Sequence, residues 1–344
     1  MKLNITSLIL SGAVLLSAVA FTPDGGKKNA DGPPTKFIDP ANMDLSIKPG
    51  DDFFDYANGT WIKENAIPAK ETRWGSFNVL RQENIDKLLK LLNEVSNTSG
   101  QPKGSLKQRV GDLYASGMDS VAIEKRGYTP IKPDLARIAK INDLNGVIGE
   151  IVYERVNGEG GPLFGFGVGQ DSKHPTKNVV QFNQGGTTLP DRDYYLKDDD
   201  RTKKIQDAYK HYIVTLFTLT GTSQADAEKN AETIFGIESK LAKAQLSRVA
   251  MRDPNKTYNK FAVADFSKTT PHLNWATLIP QMKVTGQDTV IVAQPDFFAT
   301  TDALLAATPV ADWKVYLQWN ILKGSAGALS SPFVKANFEY GSAL

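Results

Sequence analysis

Arg73, Phe77 and Arg81 recur at four-residue intervals. A helix running back to Arg73 would therefore stack an aromatic ring between two guanidinium groups on one face. Such a face can grip a peptide: the ring takes an apolar side chain, and a guanidinium takes a carboxylate or carbonyl in fork geometry. An ordinary core-facing phenylalanine between two solvated arginines has the same spacing, and on spacing alone it is the simpler reading. Asp191-Arg192-Asp193 offers paired carboxylates for acid–base work. An arginine between two aspartates can equally pin a loop by an ion pair, and with no partnered motif elsewhere pinning is the better account. A carboxylate hydrolase would need a second acid across a cleft, which the sequence does not show.

Metal and nucleotide chemistry find little support. The usual helical zinc motif, His-Glu-x-x-His, puts two ligands on one face with a glutamate base beside the metal-bound water. Here His174 is followed by Pro175, His211 by Tyr212 and His272 by Leu273, and no two histidines are near each other in sequence. The absence of cysteine excludes disulfides, thiolate metal sites and a cysteine nucleophile. Gly165-Phe166-Gly167-Val168-Gly169 lies within a predicted strand rather than between a strand and a helix, so a dinucleotide loop fails its context.

The elements that position these residues are mostly helices. Asp51 and Asp52 can cap a short helix carrying Phe53, Phe54 and Tyr56, which Asn58-Gly59 can end. Ile67-Pro68 forces an extended break before a second helix near Ser76. Phe77, Leu80, Ile85, Leu88, Leu92 and Val95 make that helix amphipathic. Further helices are expected over 105–118, 120–127, 133–141, 144–156, 201–220, 224–246, 295–307 and 310–322. Leu163 to Val168 and Asn178 to Phe182 read as an antiparallel hairpin, and Thr289 to Val292 as a short strand. The fold class is mainly α: a large helical domain with a small antiparallel β-hairpin, without an internal repeat.

Of the 344 residues, 40 are basic and 38 acidic, a net charge of +2 that gives no reason to expect nucleic acid or an anionic membrane as partner. Lys2 precedes an apolar run from Leu8 to Val19, and Ala18-Val19-Ala20 offers a small-x-small cleavage site. Residues 1–20 therefore read as a secretory signal peptide, cleaved near Ala20, and the run is short for a membrane span. Residues 21–44 follow as a flexible Gly-, Pro-, Lys- and Asp-rich leader, and 45–344 as the folded domain. The product is expected to be exported: periplasmic, cell-surface or secreted.

The run from Asp51-Asp52-Phe53-Phe54-Asp55-Tyr56 through Ile67-Pro68 to Arg73-Trp74-Gly75-Ser76-Phe77 resembles the opening of the neprilysin/endothelin-converting-enzyme family of zinc metallopeptidases. Leu189-Pro190-Asp191-Arg192-Asp193-Tyr194-Tyr195 resembles a second family signature. Arg248 with Arg252-Asp253-Pro254 and Tyr258-Asn259 resembles a third. The three occur in family order over residues 45 to 344, and the lack of cysteine matches the bacterial type. The resemblance implies the non-catalytic helical domain, which caps a cavity and admits small peptides. It implies that Arg73, Phe77 and Arg81 bind substrate. It also implies one zinc ion whose ligands lie in a catalytic domain C-terminal to residue 344, so that the chain alone would be inactive. The alternative is an exported peptide-binding or scaffold protein that keeps only the helical lobe.

Overall fold

The computed structural model describes residues 38–158 and 160–344, which form two compact units meeting in sequence at Leu91/Leu92. The proposed signal peptide and most of the leader lie outside the described residues. In the first unit a 3-10 turn, Pro40–Asn42, precedes α1 (Phe53–Glu64), and α2 (Ser76–Asn97) runs from this unit across the division. Asp52 caps α1 as its sequence suggests, its carboxylate accepting from the Asp55 N–H at 2.9 Å. Asn58-Gly59 does not end α1, however. Gly59 is buried against Asp44, where an added Cβ would stand 2.7 Å from the Asp44 Cβ, so the glycine serves close approach rather than termination. The helix stops at Asn65, whose backbone and side-chain N–H groups both donate to the Trp61 carbonyl.

The second unit begins with the end of α2, on which α3 (Leu106–Met118) packs through Gly111. There follow α4 (Ser120–Arg126), α5 (Lys132–Ala139) and α6 (Leu144–Asn157), with Asp119 and Asp143 as N-caps of α4 and α6. Then come β1 (Phe164–Asp171), β2 (His174–Gln184), α7 (Asp193–Leu196), α8 (Asp200–Leu219) and α9 (Gln224–Ala244). The chain continues through β3 (Asn259–Ala262), α10 (Val263–Thr269), α11 (Trp275–Gln281), β4 (Thr289–Val292) and α12 (Pro295–Ala307). It closes with α13 (Val310–Ser325) and α14 (Ser331–Ala343).

The expected hairpin forms, but it is half of a mixed four-stranded sheet in the order β1-β2-β4-β3. β4 joins β2 in parallel, Val180 opposite Val290 and Phe182 opposite Val292, and β3 pairs antiparallel with β4. With a neighbour on either side, β2 is an interior strand, and the burial of the consecutive Val179 and Val180, whose side chains point to opposite faces, shows that both faces of the sheet are covered there. Phe182 is the hub of an aromatic cluster, with ring centroids 4.5 Å from Trp275, 5.4 Å from Phe266 and 5.6 Å from Phe298. This cluster seats α10, α11 and α12 on the sheet. A second layer of α8, α9 and α13 buries Tyr209, Leu216, Ile234, Leu241, Trp313 and Trp319.

The far end of the hairpin is fastened by Asp171, which is 1% exposed. Its carboxylate accepts from the Tyr258 hydroxyl at 2.9 Å and Lys260 Nζ at 3.1 Å, and from the backbone N–H groups of Lys173 and His174. Burial by itself would raise the Asp171 pKa, but the Lys173 N–H, Tyr258 and Lys260 outweigh it and hold the carboxyl at about 2. A depressed carboxyl pKa contributes stability above the unfolded value of about 3.9, and that contribution disappears as pH falls towards the folded value. Asp171→Asn should therefore lower the thermal midpoint at pH 7. The difference from wild type should shrink as pH is taken from about 4 to about 2, as followed by circular dichroism melts.

Candidate functional site

The three residues expected to line a peptide grip lie in the first unit. Between α1 and α2 the chain is irregular, closed once by a turn in which the Glu71 N–H donates to the Pro68 carbonyl at 2.8 Å. Because α2 begins at Ser76, Arg73 lies outside it, and the continuous Arg73–Phe77–Arg81 helical face is not formed. Gly75 provides the reason. Its carbonyl already accepts the first α2 bonds, from Asn78 and Val79, and the residues before it follow the Pro68 turn. Phe77 and Arg81 remain one turn apart on α2, and Phe77 is 86% exposed, so it is not the core residue of the simpler reading. Arg81 Nη2 contacts Glu71 Oε1 at 3.2 Å and Oε2 at 3.4 Å, an ion pair that sequence reasoning missed because it joins a turn to a helix ten residues on.

In the second unit the other two family-like segments meet. Arg248 Nε pairs with Asp191 Oδ2 at 2.6 Å, and Arg248 Nη2 donates to the Pro190 carbonyl at 3.0 Å. Arg192, expected to pair with its flanking aspartates, donates to the Gln245 carbonyl instead. The loop is pinned, as its sequence suggests, but by an arginine from the later segment. Two hollows, of about 330 and 380 Å³, flank the Asp191–Arg248 pair, and both are lined by these two residues. Asp191 Oδ1 accepts from the Asp193 N–H, so its carboxylate is spent on structure rather than facing Asp193 as an acid–base partner.

Beneath this loop lies a buried polar network. Thr188 donates to Glu238 Oε1 at 2.7 Å and accepts from Trp319 Nε1 and Lys323 Nζ at 3.2 and 2.9 Å. The Tyr195 and Tyr209 hydroxyls donate to Glu238 Oε2 at 2.6 and 2.7 Å, and Tyr195 accepts from the Thr188 and Leu189 N–H groups. Burial, reinforced by the Glu238 charge, pushes both phenols far above their usual pKa, so they stay protonated donors. Burial pulls the Lys323 pKa down, against the opposing pull of Glu238 and Glu154. Gly186, at φ +79°, completes the clamp: its carbonyl accepts from Tyr316, and an added Cβ would stand 2.7 Å from the Leu163 carbonyl oxygen. Glu238 was findable in principle, since it lies in line with Ile234 and Leu241 on the inward stripe of α9.

The histidines do not converge. His174 opens β2, His211 is on α8, and His272 Nδ1 lies 2.8 Å from Asp302 Oδ2. Among the described residues no group of three or more His, Cys, Asp or Glu side chains could hold a metal ion, so zinc does not fit here. Among the described residues, too, no helix is long and apolar enough to cross a membrane.

Residues 49–344 match the model of the N-terminal region of peptidase family M13. The chain belongs to peptidase family M13. Among M13-like relatives, it is 29% identical to Neprilysin-3 of Drosophila melanogaster, the alignment covering 85% of this chain and 39% of that protein. It is also 29% identical to endothelin-converting enzyme-like 1 of Rattus norvegicus, over 87% of this chain and 40% of the relative. The crystal structure of the zinc metalloprotease ZMP1 of Mycobacterium tuberculosis, in complex with an inhibitor, superimposes with a TM-score of 0.78 at 31% identity. That match covers 88% of this chain and 46% of ZMP1. The chain thus spans about two fifths of the length of the curated relatives it matches. Its mainly helical architecture, with a small mixed sheet, is the M13 N-terminal fold.

Removing the Glu238 carboxylate would leave two phenols and Thr188 without their acceptor. Glu238→Ala should cost about 3–5 kcal/mol, and Glu238→Gln less, because an amide oxygen still accepts. Urea midpoints would show this order; midpoints like those of surface substitutions would contradict the clamp.

Proposed function

We propose that this chain is the N-terminal, substrate-gripping part of an exported zinc metalloendopeptidase that hydrolyses small peptides. Its zinc ligands and catalytic glutamate would lie in polypeptide C-terminal to residue 344. The observation that carries this reading is the match to a zinc metalloprotease structure at 31% identity over 88% of the chain. In this reading Phe77 receives an apolar side chain, and Arg73 and Arg81 supply cationic donors for a carboxylate or carbonyl. The exposure of Phe77 supports such a role, because a large aromatic that is 86% exposed contributes little to its own unit. The helical body would cap the cavity and so limit access to small peptides. No metal-dependent step is assigned to residues 38–344, since zinc finds no ligand set among the described residues.

The absence of a metal-capable cluster among the described residues also fits a second reading, an exported peptide-binding or scaffold protein without peptidase chemistry. The coding sequence beyond Leu344 separates the two: a His-Glu-x-x-His motif supports the peptidase, and a stop codon there supports the binding protein.

In the full-length protein, Arg73→Ala with Phe77→Ala should raise KM or lower kcat/KM for small peptides by about tenfold or more, with stability nearly unchanged. The 344-residue chain alone should show no chelator-sensitive cleavage. Unchanged kinetics for every peptide, or robust cleavage by the chain alone, would refute the reading.

A further inference from the structure

We infer that the larger hollow beside the Asp191–Arg248 pair is a binding site for a small oxyanion of two or more charges, of the phosphate-monoester or pyrophosphate class, with Arg252 as its principal donor. The site belongs to the second unit and shares no residue with the peptide grip, so it goes beyond that reading and does not rest on it.

The charge arrangement carries it. The hollow of about 380 Å³ is lined by three arginines, Arg192, Arg248 and Arg252, and by a single carboxylate, Asp191. Its wall therefore holds a formal excess of +2, as large as that of the entire 344-residue chain. Like charges gathered in this way repel, and a counter-charge between them is stabilising. Asp191 does not supply it, because Oδ2 is taken by Arg248 and Oδ1 by the Asp193 N–H. Nor does Asp253, the next residue after Arg252, whose Oδ1 accepts from the Asn255 N–H at 2.9 Å. The Arg252 side chain is exposed, and its guanidinium makes no hydrogen bond, ion pair or ring contact among the described residues.

Fastening the two loops does not account for Arg252. Neutral amides do most of that work. Gln184 Nε2 donates to the Leu246 carbonyl at 3.0 Å, the Leu246 N–H donates back to Gln184 Oε1 at 2.7 Å, and Gln245 Nε2 donates to the Gly185 carbonyl at 3.0 Å. Arg192 adds a bond from Nη1 to the Gln245 carbonyl, and Arg248 its bonds to Asp191 and Pro190. The walls of the hollow are thus tied to each other without a ligand. Arg192 keeps Nε and Nη2, and Arg248 keeps Nη1, without a partner among the described residues, beside the uncommitted Arg252. Guanidinium N–H groups of this kind meet phosphate oxygens in fork geometry.

The ligand class follows from the excess. A single carboxylate would neutralise half of it, whereas a phosphate monoester or pyrophosphate brings charge enough to match it. The volume suits a small molecule, being at the low end of ligand sites. Inorganic pyrophosphate is the probe, titrated by calorimetry into full-length protein that has been treated with chelator and then dialysed, so that no metal competes for it. Saturable binding to one site is expected. Arg252→Ala should weaken it about tenfold or more, with the thermal midpoint of the unliganded protein unchanged. Arg252→Lys should recover part of the loss, because it restores the charge but not the fork. Acetate at equal ionic strength should compete poorly, and Arg109→Ala, an exposed cation outside the hollow, should bind as wild type does. Absence of saturable binding, or an isotherm that Arg252→Ala leaves unaltered, would overturn the inference. An equal loss in Arg109→Ala would overturn it too, since that is the mark of diffuse charge attraction rather than of a site.

Discussion

A buried carboxylate organises the second unit. Glu238 is fully enclosed between helices, and an ionisable group in that position is tolerated only when its lone pairs are met. Thr188, Tyr195 and Tyr209 meet them, two from the Leu-Pro-x-Arg-Asp-Tyr-Tyr segment and its approach and one from α8. An irregular loop is thereby tied to α8 and α9, and displacing it would strand polar atoms away from water. On the outer side of that loop, Asp191 and the Pro190 carbonyl are held in turn by Arg248.

This arrangement changes the meaning of the conspicuous motifs. Asp191-Arg192-Asp193 looks like acid–base equipment, yet Asp191 is divided between Arg248 and a backbone N–H, and Arg192 donates to a carbonyl. The second and third family-like segments are two halves of one clamp. The first unit is built differently: its only buried described residues are Asp44 and Gly59, and Phe77 stands out into solvent. The buried polar network and the exposed large aromatic thus belong to different stretches of the chain.

Much of the fold was legible because helices announce themselves locally. Asp52 caps α1 as its position suggests, and the two predicted hairpin strands and Thr289–Val292 form where the β-branched and aromatic residues place them. What escaped was non-local. β3 is four residues of mixed polarity and becomes a strand only because β4 offers it an edge. The parallel β2–β4 contact has no local signal, and Gly59 looks like a helix stop until Asp44 is seen against it. At the candidate grip the residue types were legible, but the start of α2 and the Glu71–Arg81 pair were not, since both depend on the path of the intervening turn.

The interior position of β2 has a kinetic consequence. Gln184 and Gln294, which hydrogen-bond at the end of the parallel pair, are 110 residues apart. The hairpin can close early from neighbouring residues, but the other backbone edge of β2 is paired only when β4 returns across that long separation, an entropically slow event. The outer backbone edge of β2 therefore stays unpaired until the region around residue 290 has been made.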